Sequence, residues 1–284
     1  MQIGMNLLLW TTQVSPDHYP LLDKIKEWGF DGAELPIFNL DSDQYRQLGN
    51  QLDAAGLRRT AVTIVTPETN PISESPSVRS GAVDYLKGVV EMCHVSGVEV
   101  LCGPFHSPVG TLVGRGPTSD EWKRGMDVLR QVADTAQQAG VQLALEYLNR
   151  FECYFLNCAE DTARFIKEAN HPSLGMMYDS FHANIEEKNV SQAIRSCAEQ
   201  TVHVHISEND RSTPGEGNVS WSETFSTLKE VQYDAWFVIE AFGQAMPDLA
   251  AATCIWRRMF PDETYLATQG LQFIKEMLHN TAVD

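Results

Sequence analysis

The chain has 284 residues and carries 38 acidic against 21 basic side chains, for a formal net charge of −17. This excess argues against a partner with a phosphate backbone, such as DNA or RNA, and against an anionic membrane surface. The length fits one domain with a full apolar core. No run approaches a membrane span, no signal peptide is visible, and the six cysteines form no CxxC pair. We therefore expect a cytoplasmic protein with reduced thiols.

Short apolar runs alternate with amphipathic stretches along the whole chain, which predicts strands alternating with helices. Thr118 and Glu121 form a capping box at the start of one helix. In chain order, the first half predicts strand Ile3–Trp10, helix Tyr19–Trp28, strand Gly32–Leu35, helix Asp43–Ala55, strand Arg58–Val65, helix Val78–Ser96, strand Val98–Cys102 and helix Ser119–Ala139. The second half predicts strand Val141–Glu146, helix Ala159–Glu168, strand Leu174–Tyr178, a helix containing Ser191–Ala198, strand Val202–Ile206, helix Trp221–Lys229, strand Trp236–Ile239 and helix Thr264–Leu278.

Eight strand–helix alternations with short connections and no linker predict a single (β/α)8 TIM barrel domain over residues 1–284. In such a barrel, the loops that follow the strands build the active face. Two of these stretches, residues 180–187 and 207–218, are expected to be loops that extend the site.

Four consecutive strands of the predicted barrel end in a side chain that can bind a metal: Glu146, Asp179, His205 and Glu240. Their spacings of 33, 26 and 35 residues are close to one strand–helix unit, which takes roughly 31 residues. Three carboxylates cannot share a small pocket unpaired, because like charges favour protonation. A divalent cation removes that conflict, and the set suits Mn²⁺, Mg²⁺ or Co²⁺ better than a thiolate-binding ion.

Other polar residues face the same predicted rim. His203 points to the same side of its strand as the strand-seven ligand but lies deeper, in a supporting or barrel-interior position. Glu34, at the end of strand two, and His106, after strand four, are candidate substrate contacts. His182 either packs within its loop or contacts the substrate, and the sequence favours neither. Arg211 either clamps a carboxylate or contacts the substrate.

The motifs at these positions resemble those of the D-tagatose 3-epimerase family of ketose epimerases, within the xylose-isomerase-like barrel superfamily. The similar segments are ALEYLNRFE (144–152), YDSFHANIEE (178–187), HVHISENDR (203–211), PGEG (214–217) and IEAF (239–242). The resemblance extends more weakly over the whole chain, including GMNLLLW (4–10).

This resemblance implies a role for each matching residue. The family's metal ligands correspond to Glu146, Asp179, His205 and Glu240, and its acid/base pair corresponds to Glu146 and Glu240. Its residues that hold the O1–O3 end of the ketose correspond to Glu152, His182 and Arg211. Mn²⁺ is the expected cofactor, with Co²⁺ or Mg²⁺ as alternatives.

The chain departs from the family pattern where the far end of the sugar would lie. Asn6 and Leu7 stand where relatives carry an aromatic residue, and residues 103–110 replace an aromatic-rich run. We therefore expect Asn6 and His106 to contact the distal carbons and to tune substrate choice. Residues 241–248 contain no Lys or Arg, which predicts an unphosphorylated substrate.

The predicted activity is interconversion of C3 epimers of a free ketose. Inversion beside a carbonyl needs a base on one face and an acid on the other, and a cation to stabilise the enediolate. The competing enzymes are a keto-inositol or keto-sugar lyase and a hydroxypyruvate-type isomerase. A barrel that only binds sugar conflicts with the acid/base pair, and an endonuclease conflicts with the charge. A homo-oligomer, either a dimer or a tetramer, is expected.

Overall fold

Eight parallel strands pair in sequence order, and the first pairs with the eighth to close a barrel, in a computed structural model that describes residues 1–280. The strands are β1 Gln2–Asn6, β2 Gly32–Pro36, β3 Arg58–Val62, β4 Val100–Gly103, β5 Gln142–Glu146, β6 Leu174–Asp179, β7 Thr201–Ile206 and β8 Trp236–Ile239. The predicted (β/α)8 barrel is confirmed. The single domain expected over residues 1–284 includes 281–284, which lie outside the described residues.

Helices lie between and after these strands. They are α1 Tyr19–Trp28, α2 Ser42–Ala55, α3 Pro76–Ser96, α4 Ser119–Ala139, α5 Ala159–Ala169, α6 Ser180–Glu186, α7 Val190–Cys197, α8 Trp221–Glu230, α9 Pro247–Ala252 and α10 Glu263–Asn280. The capping box predicted before α4 is present, with the Glu121 amide donating to the Thr118 hydroxyl over 3.2 Å. Within residues 1–280, none of the helices combines the length and apolar character that a membrane span requires.

Several element boundaries differ from the sequence prediction. β1 ends at Asn6 rather than at residue 10, because the Asn6 side chain accepts a hydrogen bond from the Leu8 amide and begins a 3-10 turn over Leu7–Leu9. Residues 180–186 form α6 instead of a loop, since the Asp179 carboxylate accepts from the Phe181 amide and caps the helix. The short helix α9 also lies in a stretch where no helix is predicted.

The barrel interior is packed with side chains, and its lower part is filled by Trp236. A β-carbon added at Gly32 would lie 2.6 Å from Cη2 of Trp236 and 2.5 Å from the Arg58 carbonyl oxygen. A β-carbon added at Gly4 would lie 3.0 Å from Cγ2 of Val238 and 3.4 Å from the same indole ring. Gly32 therefore leaves the space that the indole occupies, Gly4 packs beside it, and the polar residues of the site lie above it.

The end of β4 depends on a glycine. Gly103 has a φ of 124°, and an added β-carbon would collide with the Thr63 carbonyl oxygen. We expect Gly103→Ala to lower the free energy of unfolding by roughly 2–4 kcal/mol, because backbone strain and a backbone clash add. Gly116→Ala is the control, since nothing lies within 4 Å of that position. Urea denaturation followed by tryptophan fluorescence measures both. Equal stability of the two variants would contradict this account.

Candidate active site

Four side chains from neighbouring strands converge at the C-terminal end of the barrel. Glu146 ends β5, Asp179 ends β6, His205 lies in β7 and Glu240 follows β8. Asp179 and His205 are paired in the β6–β7 register, which places them side by side. One ligand atom from each of the four lies within 4.8 Å of the others, and all four side chains are buried. The structure thus brings together the four residues predicted as metal ligands.

The His205 ring is oriented toward the carboxylates. Its Nε2 lies 2.7 Å from Glu34 Oε1, on the barrel-interior side. Its Nδ1 lies 3.4 Å from a Glu240 oxygen and 3.9 Å from an Asp179 oxygen, and it has no hydrogen-bond partner. A buried nitrogen without a partner, directed at carboxylate oxygens, fits a shared cation. Three carboxylates and one imidazole suit Mn²⁺, Mg²⁺ or Co²⁺.

Arg211 supplies positive charge to this cluster. Its Nη1 donates to Asp179 Oδ2 over 3.0 Å and to Glu240 Oε2 over 2.6 Å. The guanidinium carbon lies 3.8 Å from the centre of the Phe181 ring, so the group is held between the carboxylates and an aromatic face. One guanidinium does not balance three carboxylates, and a divalent ion would add positive charge at the same place.

His182 and Glu152 lie beside this cluster. His182 Nε2 is 3.3 Å from Glu146 Oε1 and 3.0 Å from an Arg211 nitrogen, while its Nδ1 accepts from the Asn149 backbone amide over 3.0 Å. The Asn149 side chain donates to Glu152 Oε1 over 2.7 Å. The three residues predicted to hold the sugar, Glu152, His182 and Arg211, are therefore linked around the carboxylates, and Asn149 joins them without having been singled out in the sequence.

The two carboxylates of the predicted acid/base pair experience opposite environments. Burial, together with the nearby Glu240 charge, raises the pKa of Glu146 to about 7. Burial also acts to raise the pKa of Glu240, but the charges of His205 and Arg211 outweigh it and lower that pKa to about 2. Two carboxyl groups whose protonation is separated in this way can act as an acid and a base in one site.

Asn6 and His106, predicted to contact the far end of the sugar, are fully buried. The Asn6 amide donates to Glu34 over 2.9 Å, and its oxygen accepts from the Leu8 amide. His106 Nε2 lies 2.8 Å from the Glu146 carbonyl oxygen and Nδ1 lies 2.9 Å from the Ser107 hydroxyl, while burial lowers its pKa to about 4. Protein groups bond the polar atoms of both side chains in this structure, and the contact of Asn6 and His106 with the distal carbons of a sugar stays a prediction.

Glu34, a third candidate contact, also lies beneath the rim instead of facing it. Its side chain is fully buried and bonded to both histidines of β7. His203 occupies the interior position that the sequence predicts, with Nε2 2.8 Å from Glu34 Oε2. We call Glu146, Asp179, His205 and Glu240 the upper row, and Asn6, Glu34 and His203 the lower row. Both rows are buried; the upper row forms the candidate metal site, and the lower row is bonded within the protein.

Comparison with known proteins places the chain in a family. The sequence model of the family described as "Xylose isomerase-like TIM barrel" matches residues 22–277. A probable ketose 3-epimerase from Synechocystis sp. is 29% identical over 97% of this chain and 96% of the relative. An L-ribulose 3-epimerase from Mesorhizobium japonicum is 31% identical over 96% and 93%. A crystal structure of D-psicose 3-epimerase with D-tagatose from Clostridium cellulolyticum H10 superposes with a TM-score of 0.89, at 27% identity, covering 98% and 99% of the two chains.

These matches span nearly the whole chain. The protein belongs to the xylose isomerase-like TIM barrel family, and the relatives described above are named as 3-epimerases of ketoses. The family resemblance drawn from the motifs around residues 144–152, 178–187 and 203–217 is confirmed.

One residue that the sequence analysis did not single out organises the loop that carries Arg211. Glu208 is fully buried, and its carboxylate accepts hydrogen bonds from the amides of Asn209, Gly215 and Val219 and from the Trp221 indole, at 2.8–3.1 Å. Its position explains Gly217 in the PGEG motif, since a β-carbon there would collide with that carboxylate. Arg211 itself has a left-handed backbone, with φ of 62°, which the surrounding loop must hold in place.

We expect Glu208→Gln to loosen this loop, because an amide cannot accept from four donors as a carboxylate does. Arg211 is 7% exposed and is the only Lys or Arg between residues 196 and 228. Trypsin should therefore cut the variant after Arg211 about tenfold faster or more, since a loss of about 1.4 kcal/mol is tenfold in the open population. The exposed Glu216, replaced by Gln, is the control in the same loop. Unchanged cleavage in Glu208→Gln would show that this carboxylate does not hold the loop.

Proposed function

We propose that this protein is a divalent-metal-dependent ketose 3-epimerase that acts on unphosphorylated ketoses. The observation that carries the proposal is the convergence of Glu146 and Glu240 with Asp179 and His205 within 4.8 Å. The activities named for the relatives support it, including an L-ribulose 3-epimerase that is 31% identical and a D-psicose 3-epimerase structure that contains D-tagatose.

In the proposed reaction, Glu146 and Glu240 invert C3 of the ketose by removing its proton and returning another. One carboxylate removes the proton from one face, and the other, as the acid, returns a proton to the opposite face. They follow different strands of the barrel, β5 and β8, so they approach a bound sugar from different sides. The two roles reverse for the opposite epimer. Because the two groups share one site, their titrations belong to the pair.

The chain's own residues fit a cation that assists this step. Glu146, Asp179, His205 and Glu240 would hold it, with His205 contributing Nδ1. When bound, a divalent cation would polarise the carbonyl and hydroxyl oxygens of the sugar and stabilise the negative charge of the enediolate. Mn²⁺ is the proposed ion, with Co²⁺ or Mg²⁺ as alternatives.

Glu152, His182 and Arg211 would bind the O1–O3 end of the sugar. Their polar groups surround the carboxylate cluster, so a ketose held by that end would present C3 between Glu146 and Glu240. A phosphate group would find no partner among residues 241–248, which contain no Lys or Arg, and Arg211 is already bonded to Asp179 and Glu240. This lack of cationic side chains supports a free ketose as substrate. We further propose a cytoplasmic homo-oligomer, a dimer or a tetramer, as is commonest for enzymes of this kind.

Metal removal tests the cation. Exhaustive chelation should abolish epimerisation, and Mn²⁺ or Co²⁺ should restore it, because the enediolate would otherwise lose the cation that stabilises its charge. Metal content by mass spectrometry and turnover are measured on the same samples. Full activity in protein that contains no metal would overturn the metal-dependent mechanism.

Isotope exchange tests the reaction. In deuterated water, the recovered epimer of L-ribulose or D-psicose should carry deuterium at C3. Glu240→Gln should lower kcat by roughly 10²–10⁴, because one acid/base group is lost. The exposed Glu160, replaced by Gln, is the matched control and should be active.

The position of the label separates the alternatives. Deuterium at C1 with an aldose product would indicate an aldose–ketose isomerase, and a dehydrated product would indicate a lyase. Metal content is measured in Glu240→Gln as well, so that loss of the ion is distinguished from loss of the acid/base group. A preference for the corresponding sugar phosphate would refute the assignment of a free ketose.

A further inference from the structure

A second set of polar side chains lies below the proposed metal site and has Glu34 at its centre. The Glu34 carboxylate is fully buried and has no Lys or Arg among its hydrogen-bond partners in the described structure. Five side chains surround it at hydrogen-bond distance: Asn6 Nδ2 at 2.9 Å, Thr60 Oγ1 at 2.8 Å, Cys102 Sγ at 3.3 Å, His203 Nε2 at 2.8 Å and His205 Nε2 at 2.7 Å. We call this set the Glu34 network.

The two oxygens of Glu34 have different partners. Oε1 accepts from His205 and Asn6, and Oε2 accepts from His203, Thr60 and Cys102. An ionised carboxylate is only an acceptor, so the hydrogen in the His205 contact must lie on the imidazole Nε2. With that hydrogen held on Nε2, Nδ1 is the ring nitrogen left to bind a cation, and Nδ1 is the atom that faces Glu240 and Asp179.

This network is not itself arranged as a second metal centre. Glu34, Cys102, His203 and His205 each have a ligand atom within 4.8 Å of the others. However, the contacts of Glu34 with the two histidines, at 2.7 and 2.8 Å, have the length of direct hydrogen bonds. An ion inserted among these atoms would compete with the donors already bonded to both oxygens of Glu34.

Asn6 connects the network with the acid/base pair. Its amide nitrogen lies 2.9 Å from Glu34 Oε1 and 3.5 Å from Glu240 Oε1. Asn6 and Glu34 are directly paired in the β1–β2 register, so the spacing between the amide and the Glu34 carboxylate is set by the sheet. The Asn6 oxygen is bonded to the Leu8 amide, which determines that the nitrogen is the atom facing both carboxylates.

We propose that Glu34 is a positioning residue that sets the tautomer and orientation of His205 for metal binding, with Asn6 extending this control to Glu240. Carboxylates that hold the second nitrogen of a metal-ligating histidine typically contribute 10–100-fold to metal affinity. This inference rests on the proposed function, since it requires the metal site above the network.

The first test compares Glu34→Leu with Thr60→Val. Leucine has no acceptor atom, so neither histidine keeps its carboxylate partner. Nε2 of His205 is then no longer held as a donor, and the ring is free to change its tautomer and orientation. We expect the Mn²⁺ dissociation constant, measured by electron paramagnetic resonance, to rise 10–100-fold in Glu34→Leu. Thr60→Val also removes one hydrogen bond to Glu34, but to the oxygen that His205 does not use. Thr60→Val should change the Mn²⁺ dissociation constant by less than about twofold.

Melting temperatures separate positioning from mere support of the fold. If Glu34 only stabilises the barrel interior, both variants melt earlier and bind Mn²⁺ as the wild type does, and the inference is wrong. If the wild-type protein does not bind Mn²⁺ at all, the proposed metal-dependent function is wrong, whatever the variants show. Weak Mn²⁺ binding confined to Glu34→Leu, in protein with a wild-type circular dichroism spectrum, supports the inference.

A second measurement does not depend on the folding of any variant. Long-range ¹H–¹⁵N spectra of wild-type protein, with ¹⁵N-labelled histidine and titrated with diamagnetic Mg²⁺, report which ring nitrogen carries the proton. In the Mg²⁺-saturated protein His205 should carry its proton on Nε2, and its Nδ1 signal should shift as Mg²⁺ is added. A proton on Nδ1 in the Mg²⁺-saturated protein would overturn the inference, and the absence of any Mg²⁺-dependent shift would count against the metal site.

Discussion

Mutual repulsion among Glu146, Asp179 and Glu240 is the constraint around which this end of the barrel is built. Burying three carboxylates within 4.8 Å of a histidine nitrogen is unfavourable unless positive charge is supplied at the same place. Arg211 supplies part of this positive charge. The loop centred on Glu208 holds the strained backbone of Arg211, so that its guanidinium contacts the carboxylates from above. The Glu34 network acts from below, where it holds Nε2 of His205 and directs Nδ1 toward Asp179 and Glu240.

The barrel and the upper row of the site could be predicted from the sequence because both depend on regular spacing. A closed parallel barrel brings every strand end to one rim, so Glu146, Asp179, His205 and Glu240, each about one unit apart, had to meet. Strand periodicity also placed His203 inside the barrel, below His205. Local patterns, such as the Thr118–Glu121 capping box, were equally readable, because the partners lie within one helical turn.

The lower row could not be predicted, because its contacts join strands that are distant in the chain. Asn6 lies 234 residues from Glu240 and Glu34 lies 171 residues from His205, and no local pattern shows that these side chains bond to each other instead of to a ligand. His106 is a similar case, since its ring bonds to a backbone carbonyl of β5. The helix α6 was missed for a different reason. It is only seven residues long, and its cap, Asp179, was assigned to the metal alone.

The indole of Trp236 packs against Gly4 and Gly32 and occupies the lower part of the barrel interior. A barrel filled in this way has a single mouth, at the ends of the strands. The two epimers of a reversible reaction must then enter and leave by the same opening and occupy the same contacts. Each sugar excludes the other, so accumulating product slows net turnover by simple occupancy before the mixture reaches its equilibrium ratio.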